Sequence, residues 1–177
     1  MRDANNPVWE VYDQLRTARL NVKYYAALLD RVERLKGFTE SILLITAPGS
    51  AIAGLWFWGT ILGTHLWQGL GAVSAVVAVI SPALNLTGKI ARYSVLLSGY
   101  RALEHDLLEI KIDISQSMQY DESNKRDLEK AVGRKGMLSA QSPDASENKK
   151  LVRKCSMEVE AELPVDKFYL PPYKLGA

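Results

Sequence analysis

Between Ser41 and Gly88 the sequence contains no Asp, Glu, Lys or Arg, a run of 48 residues without a formal charge. The buried helices of soluble proteins are amphipathic and present a charge to solvent every few residues, and neither half of this run has such a face. A helix crosses the roughly 30 Å hydrocarbon core of a bilayer with about 20 apolar residues, so the run accommodates two crossings and the turn between them. The expectation is a membrane hairpin.

Other scarcities exclude chemistry. Cys155 is the single cysteine, which rules out an intrachain disulfide and a cysteine metal cluster. His65 and His105 are the two histidines, in separate segments, and give no metal site of recognisable spacing. A lone His in a turn is read first as an interfacial polar residue, and His105 sits among charges between Glu104 and Asp106. The sequence has no Gly-rich phosphate loop, no nucleophile elbow and no paired His and Glu motif, so no enzyme, catalytic residue, metal or cofactor is expected. Glu104, Asp106, Glu109 and Asp113 read as exposed charges on a helix. A net charge of +2 indicates no extended basic surface, and no nucleic acid polymer is expected as a partner. Without an intramembrane carboxylate, Lys or Arg, proton relay and cation coordination of the calcium-uniporter type are disfavoured, despite a similar layout.

The polar interruption Thr64, His65, Leu66, Trp67, Gln68 and Gly69 places the turn, with spans at about 41–63 and 70–87. Trp56, Trp58 and Trp67 cluster toward it, as indoles do at headgroup level. Before the first span stand Arg16, Arg19, Lys23, Arg31, Arg34 and Lys36, and after the second Lys89, Arg92 and Arg101, whereas the turn has no Lys or Arg. The excess puts both termini in the cytoplasm. Met1 to Pro7 is not followed by an apolar signal region, so the first span is expected to act as its own insertion signal.

Both flanks carry a heptad seam. Val8, Val11, Leu15, Ala18, Val22, Tyr25, Leu29 and Val32 alternate spacings of three and four, as do Tyr93, Leu96, Tyr100, Leu103, Leu107, Ile110 and Ile114. That period keeps one stripe against a partner helix. A helix over 8–36, with Gly37 as a hinge, and a second over 89–118, continuous with the second span as one rod, would therefore zip antiparallel. Leu20, Leu28, Leu35, Val95, Leu97 and Leu108 fall off the stripe and suggest neighbouring subunits, with Val22, Tyr25, Leu29, Tyr100, Leu103, Leu107 and Ile110 as oligomerisation candidates. The fold expected is an all-α membrane protein: a two-span hairpin module over 1–118 with a cytoplasmic antiparallel coiled coil, and a polar cytoplasmic tail over 119–177. In that tail, 121–135 and 151–163 suggest short helices, the Gly- and Ser-rich stretch from Gly133 to Lys150 a linker, and Phe168 to Tyr173 an extended aromatic and proline segment.

Within the spans, Gly59 and Gly63, Ser50 and Gly54, and Gly71, Ala75, Ala78 and Ala83 are small residues suited to close helix packing. Thr46 and Ser50 share a face of the first span, and Ser74, Ser81 and Asn85 one of the second. Hydrogen bonding between helices and the lining of a pore both account for them. Pro48 with Gly49, and Pro82 at similar depth, are weak points where a gate could bend.

The run Asn21 to Leu29, the hairpin, and Tyr100, Arg101 and Leu103 to Leu108 resemble the SLATT family, two-transmembrane effectors associated with bacterial nucleotide-second-messenger and SLOG sensor systems. The resemblance covers roughly Val8 to Ile114 and rests on layout with diffuse aromatic and aliphatic positions. It implies an oligomeric effector of the bacterial inner membrane in anti-phage defence, which forms pores and depolarises the membrane when a sensor protein, regulatory protein or cyclic nucleotide triggers it. It carries over no catalytic residue. The alternative is a membrane-anchored coiled-coil scaffold that recruits a partner protein.

Overall fold

The structure, a computed structural model, describes residues 6–46, 60–142 and 148–171. Among these residues it is all-helical, without strands: α1 Val8–Thr46, α2 Ile61–Leu84, α3 Leu86–Ser117, α4 Glu122–Ala140 and α5 Lys149–Glu162, followed by a 3-10 turn at Val165–Lys167. The chain divides into two compact units, Met1–Ala27 with Tyr93–Ala177, and Leu28–Arg92.

The first unit is built on the two seams. Asn6 starts α1 by accepting the Val8 N–H on its side-chain oxygen at 3.0 Å, and Pro7 needs no amide partner at the helix start. Val8, Val11, Leu15, Ala18, Val22 and Tyr25 are buried, and so is every residue of the second stripe from Tyr93 to Ile114. Tyr25 stacks on Tyr100, with ring centroids 5.5 Å apart, and Arg19 bonds Glu104 at 2.9 Å. Partner numbers rise along α3 as they fall along α1, so the two helices run antiparallel as the heptads require.

The residues after Gln119 belong to this unit. Asp121 and Asn124 form a reciprocal capping box that opens α4, and the buried Asn124 donates to Asp113 of α3 at 2.5 Å. The linker expected from Gly133 onward is helical as far as Ala140. Each helical Gly costs about 1 kcal/mol, which burial of Ala131 and Leu138 offsets. Gly99 of α3 faces Leu138, and a Cβ there would collide with the leucine side chain. On α5, Cys155 and Val159 are buried, and Leu20 and Val159 line one groove between α1 and α5. Leu97 is also buried. At these two positions the off-stripe apolar residues, expected to meet neighbouring subunits, are taken up within the chain.

The second unit corrects three expectations. Residues 64–69 form no turn: they lie inside α2, which begins one turn earlier because Thr60 Oγ1 accepts the Gly63 N–H at 3.1 Å. Gly37 is no hinge, since α1 runs through it without a break. The second rod is not continuous. Asn85 adopts a left-handed conformation, φ 44°, and ends α2, while its side chain accepts the Gly88 N–H and starts α3. A Cβ at residue 88 would press within 2.6 Å of that side chain. Pro82, inside α2, removes one backbone donor just before the break.

With the seam inside the chain, Leu107→Ala is expected to destabilise the protein by about 2–5 kcal/mol, read as a lower urea midpoint. An unchanged midpoint would show that the seam is not a core.

Candidate functional site

Two surfaces are candidates: the apolar exterior of the second unit, and a charged margin around α5 in the first.

On α2, Leu70, Ser74, Val77, Ser81 and Leu84 form the half-covered stripe, at spacings of three and four. The structure therefore brings Ser74 and Ser81 to one face. Pro82 and Asn85 lie exposed, and Asn85 spends its side chain on the α2–α3 junction. The small residues Gly71, Ala75, Ala78 and Ala83 are exposed and do not pack within the unit. A cleft of about 270 Å³ beside the junction is lined by Lys36 and Glu40 of α1 with Ser81, Pro82, Asn85, Leu86 and Thr87. Lys36 and Glu40, inside α1 and short of its end at Thr46, thus lie level with the break between α2 and α3. Thr46 closes α1, whereas Pro48, Gly49 and Ser50 lie outside the described residues, as do Trp56, Trp58, Gly54 and Gly59.

Apart from the exposed His65 and Gln68, the remaining described surface of α2 is apolar. Ile61 is 83% exposed, Val79 77% and Val76 57%, and Val73 and Ile80 are exposed with them. On α1, Phe38 and Leu44 are also exposed. Burying a Val or Ile side chain contributes about 1.5–3 kcal/mol, so five on α2 forgo on the order of 10 kcal/mol in water. That equals the whole stability of a typical domain. Taken singly, no helix among the described residues is long and apolar enough to cross a membrane; Gln68–Leu84 and Leu86–Ser117 meet the requirement as a pair, bent by 43° at Asn85.

Of the oligomerisation candidates, Val22, Tyr25, Tyr100, Leu103, Leu107 and Ile110 are buried in the first unit by the chain itself. Leu29 is half-buried in the second. As placed, the first six are unavailable to another subunit, because α3, α4 and α5 already occupy the room around the stripe.

The charged margin was not legible as a site. Arg19 of α1 reaches Glu104 at 2.9 Å and Glu162 at 3.0 Å, and Lys23 reaches Glu162 at 2.8 Å and Glu158 at 3.1 Å. Hydrogen bonds from Lys23 and Arg19 hold the Glu162 carboxyl below its ordinary range. The hydrogen bonds that Lys23 donates to Glu162 and Glu158 hold it above its own. Burial alone would lower Arg19, but its two carboxylate partners outweigh that and raise it. At the far end of the same margin, Phe168 stacks on Tyr12 with centroids 4.0 Å apart and planes within 5°. The Tyr12 hydroxyl donates to the Tyr169 carbonyl at 2.6 Å, and Asn6 Nδ2 donates to the Pro171 carbonyl at 3.2 Å. Among the described residues, no group of three or more His, Cys, Asp or Glu is placed to hold a metal ion.

No family model matches the chain, and no curated protein and no solved structure is similar to it.

A carboxyl whose folded value is lowered stabilises fully above its unfolded value, about 4.3 for Glu, and ceases to do so as pH falls through the folded value. Lys23, raised, stabilises below about 10.4 and ceases to as pH climbs through its folded value. Glu162→Gln is therefore expected to lower the urea midpoint by a constant amount from pH 6 to 9, and by much less at pH 3. A deficit that persists undiminished at pH 3 would show that the ion pairs do not cause it.

Proposed function

We propose that the chain is a two-span effector of the bacterial inner membrane that disrupts the bilayer on triggering, with both termini in the cytoplasm. The observation that carries this reading is the outward apolar surface of α2, joined to the 48-residue run without a charge. Such a surface is stable only where something other than water covers it, and lipid covers it along its whole length. The bend at Asn85, with Pro82 before it, gives the second span a place to change course near the cytoplasmic boundary. Ser74 and Ser81, on the covered stripe, are the polar groups that rearranged hairpins would bring to a shared path, while Pro48 and Gly49 are proposed as the corresponding hinge in the first span. An opening without charge in its wall gates by wetting and dewetting of an apolar constriction. The likeness to SLATT effectors supports a role in anti-phage defence, with a sensor protein or cyclic nucleotide as trigger.

The scaffold reading draws on a different observation. The seam is closed within the chain, so the first unit offers a folded polar surface to a partner protein, and the spans then serve only to anchor it.

Membrane potential and dye entry, followed in bacteria after induced expression with and without neighbouring gene products, separate the two. The effector reading expects rapid depolarisation that requires the intact hairpin. Full membrane expression with no loss of potential in any pairing would favour the scaffold.

Val76→Arg places a charge on the proposed lipid face at a cost of about 2.5–3.5 kcal/mol. It is expected to shift the protein out of the membrane fraction or to abolish toxicity, whereas Val76→Leu does neither. Equal insertion and toxicity of both variants would place residue 76 away from lipid.

A further inference from the structure

In the first unit, the attachments of α5 and of the segment Pro164–Pro171 differ in kind from the seam. The seam is a continuous buried stripe. The attachment of α5 and the segment after it buries Cys155, Val159, Phe168 on Tyr12, and Pro171, and Tyr12 and Asn6 donate to the Tyr169 and Pro171 carbonyls. Its margin is ionic: Glu158 and Glu162 are about 40% exposed and meet Lys23 and Arg19. Exposed pairs of this kind shift an equilibrium only severalfold each, so the ionic margin by itself adds little to hold α5 closed. Beneath it, α1 presents Asp13, Arg16, Thr17 and Leu20, which form a groove of about 310 Å³ with Ser156, Val159 and Glu160.

We infer that α5 with Pro164–Pro171 is a displaceable clasp, and that the α1 face it covers, from Tyr12 through Leu20 to Lys23, is an association surface for a second copy of this chain. The occupant follows from complementarity. With α5 lifted, the face would present the Tyr12 ring, now fully buried, beside an apolar groove and two cations, and the segment that matches it is an acidic amphipathic helix followed by Phe168. Every copy carries that segment, so exchange of clasps between copies preserves each contact while joining the subunits. This inference rests on the effector reading above, since it gives the assembly step a surface that the closed seam does not offer.

Cys155 makes the test internal. It is the chain's single cysteine and lies buried on the inner face of α5 itself, and burial, with Glu158 beside it, pushes its thiol up. Because Lys23 pulls the thiol the other way, the labelling rate reports lifting of α5 once each variant is normalised to its own thiolate fraction. In the full-length protein in detergent, K23E is expected to label roughly three- to tenfold faster, because two exposed pairs are lost, with helix content unchanged and with larger oligomers. K23E/E158K, which restores one pair with the signs exchanged, is expected to return both readouts toward the parent. F168A leaves every ion pair in place and is expected to accelerate labelling and assembly as well, which covers the case in which K23E fails to fold.

Unchanged labelling in both K23E and F168A would overturn the clasp. Faster labelling without any growth of the oligomer would overturn the association surface. Larger oligomers in K23E without depolarisation in cells would leave the clasp standing and remove the effector reading.

Discussion

The first unit depends on the antiparallel burial of α1 against α3. Six side chains of the first stripe and seven of the second are withdrawn from water, and at about 1.5–3 kcal/mol for a large apolar side chain no other interaction in the unit approaches that sum. The seam also fixes register. Tyr25 opposite Tyr100 and Arg19 opposite Glu104 determine where α4 and α5 find their grooves, because Gly99 admits Leu138 only at one level of α3. The polar contacts are consequences of that register: Tyr25 meets Ser142, and Tyr24 accepts the Asn148 N–H, once the helices are in place.

The second unit follows a different logic. Its half-covered stripe on α2 joins Ser74 and Ser81 to Leu70, Val77 and Leu84, while Ile61, Val73, Val76, Val79 and Ile80 point outward. In water this arrangement would be inside out. In hydrocarbon an outward Val would lose nothing, and helices would associate through packing and polar groups such as Ser74 and Ser81 instead of by burying valine. Asn85 marks where the pattern changes, with α2 ending in an uncharged turn and α3 bringing Lys89 and Arg92 within two turns.

Much of the first unit was legible because a heptad is a long-range statement made in local code: each stripe residue from Val8 to Tyr25 and from Tyr93 to Ile114 lies where its spacing demands. The course of α4 was obscured by Gly133 and Gly136, whose low helix propensity is overruled by the burial of Leu138, a tertiary effect invisible in a window of a few residues. A signal was present in Gly99, a residue with no Cβ beside the buried Leu96 and Tyr100. The α5 margin was hidden because Arg19 and Glu162 are 143 residues apart, and nothing in their neighbourhoods distinguishes them from other solvated charges. Thr64–Gly69 misled for the opposite reason. These residues have turn composition, but Thr60 caps a helix first, and a helix already started runs through polar residues with little penalty.

Asn6 and Pro171 are hydrogen-bonded across 165 positions, and the unit they close is assembled from both sides of the uncharged run. During synthesis, therefore, Val8 to Ala27 leave the ribosome long before their partners exist. At roughly 5–20 residues per second, the stripe of α1 waits about 7–30 s for Pro171. The whole uncharged run is made within that interval, so it leaves the ribosome before the first unit can close, with the first amphipathic helix still uncovered.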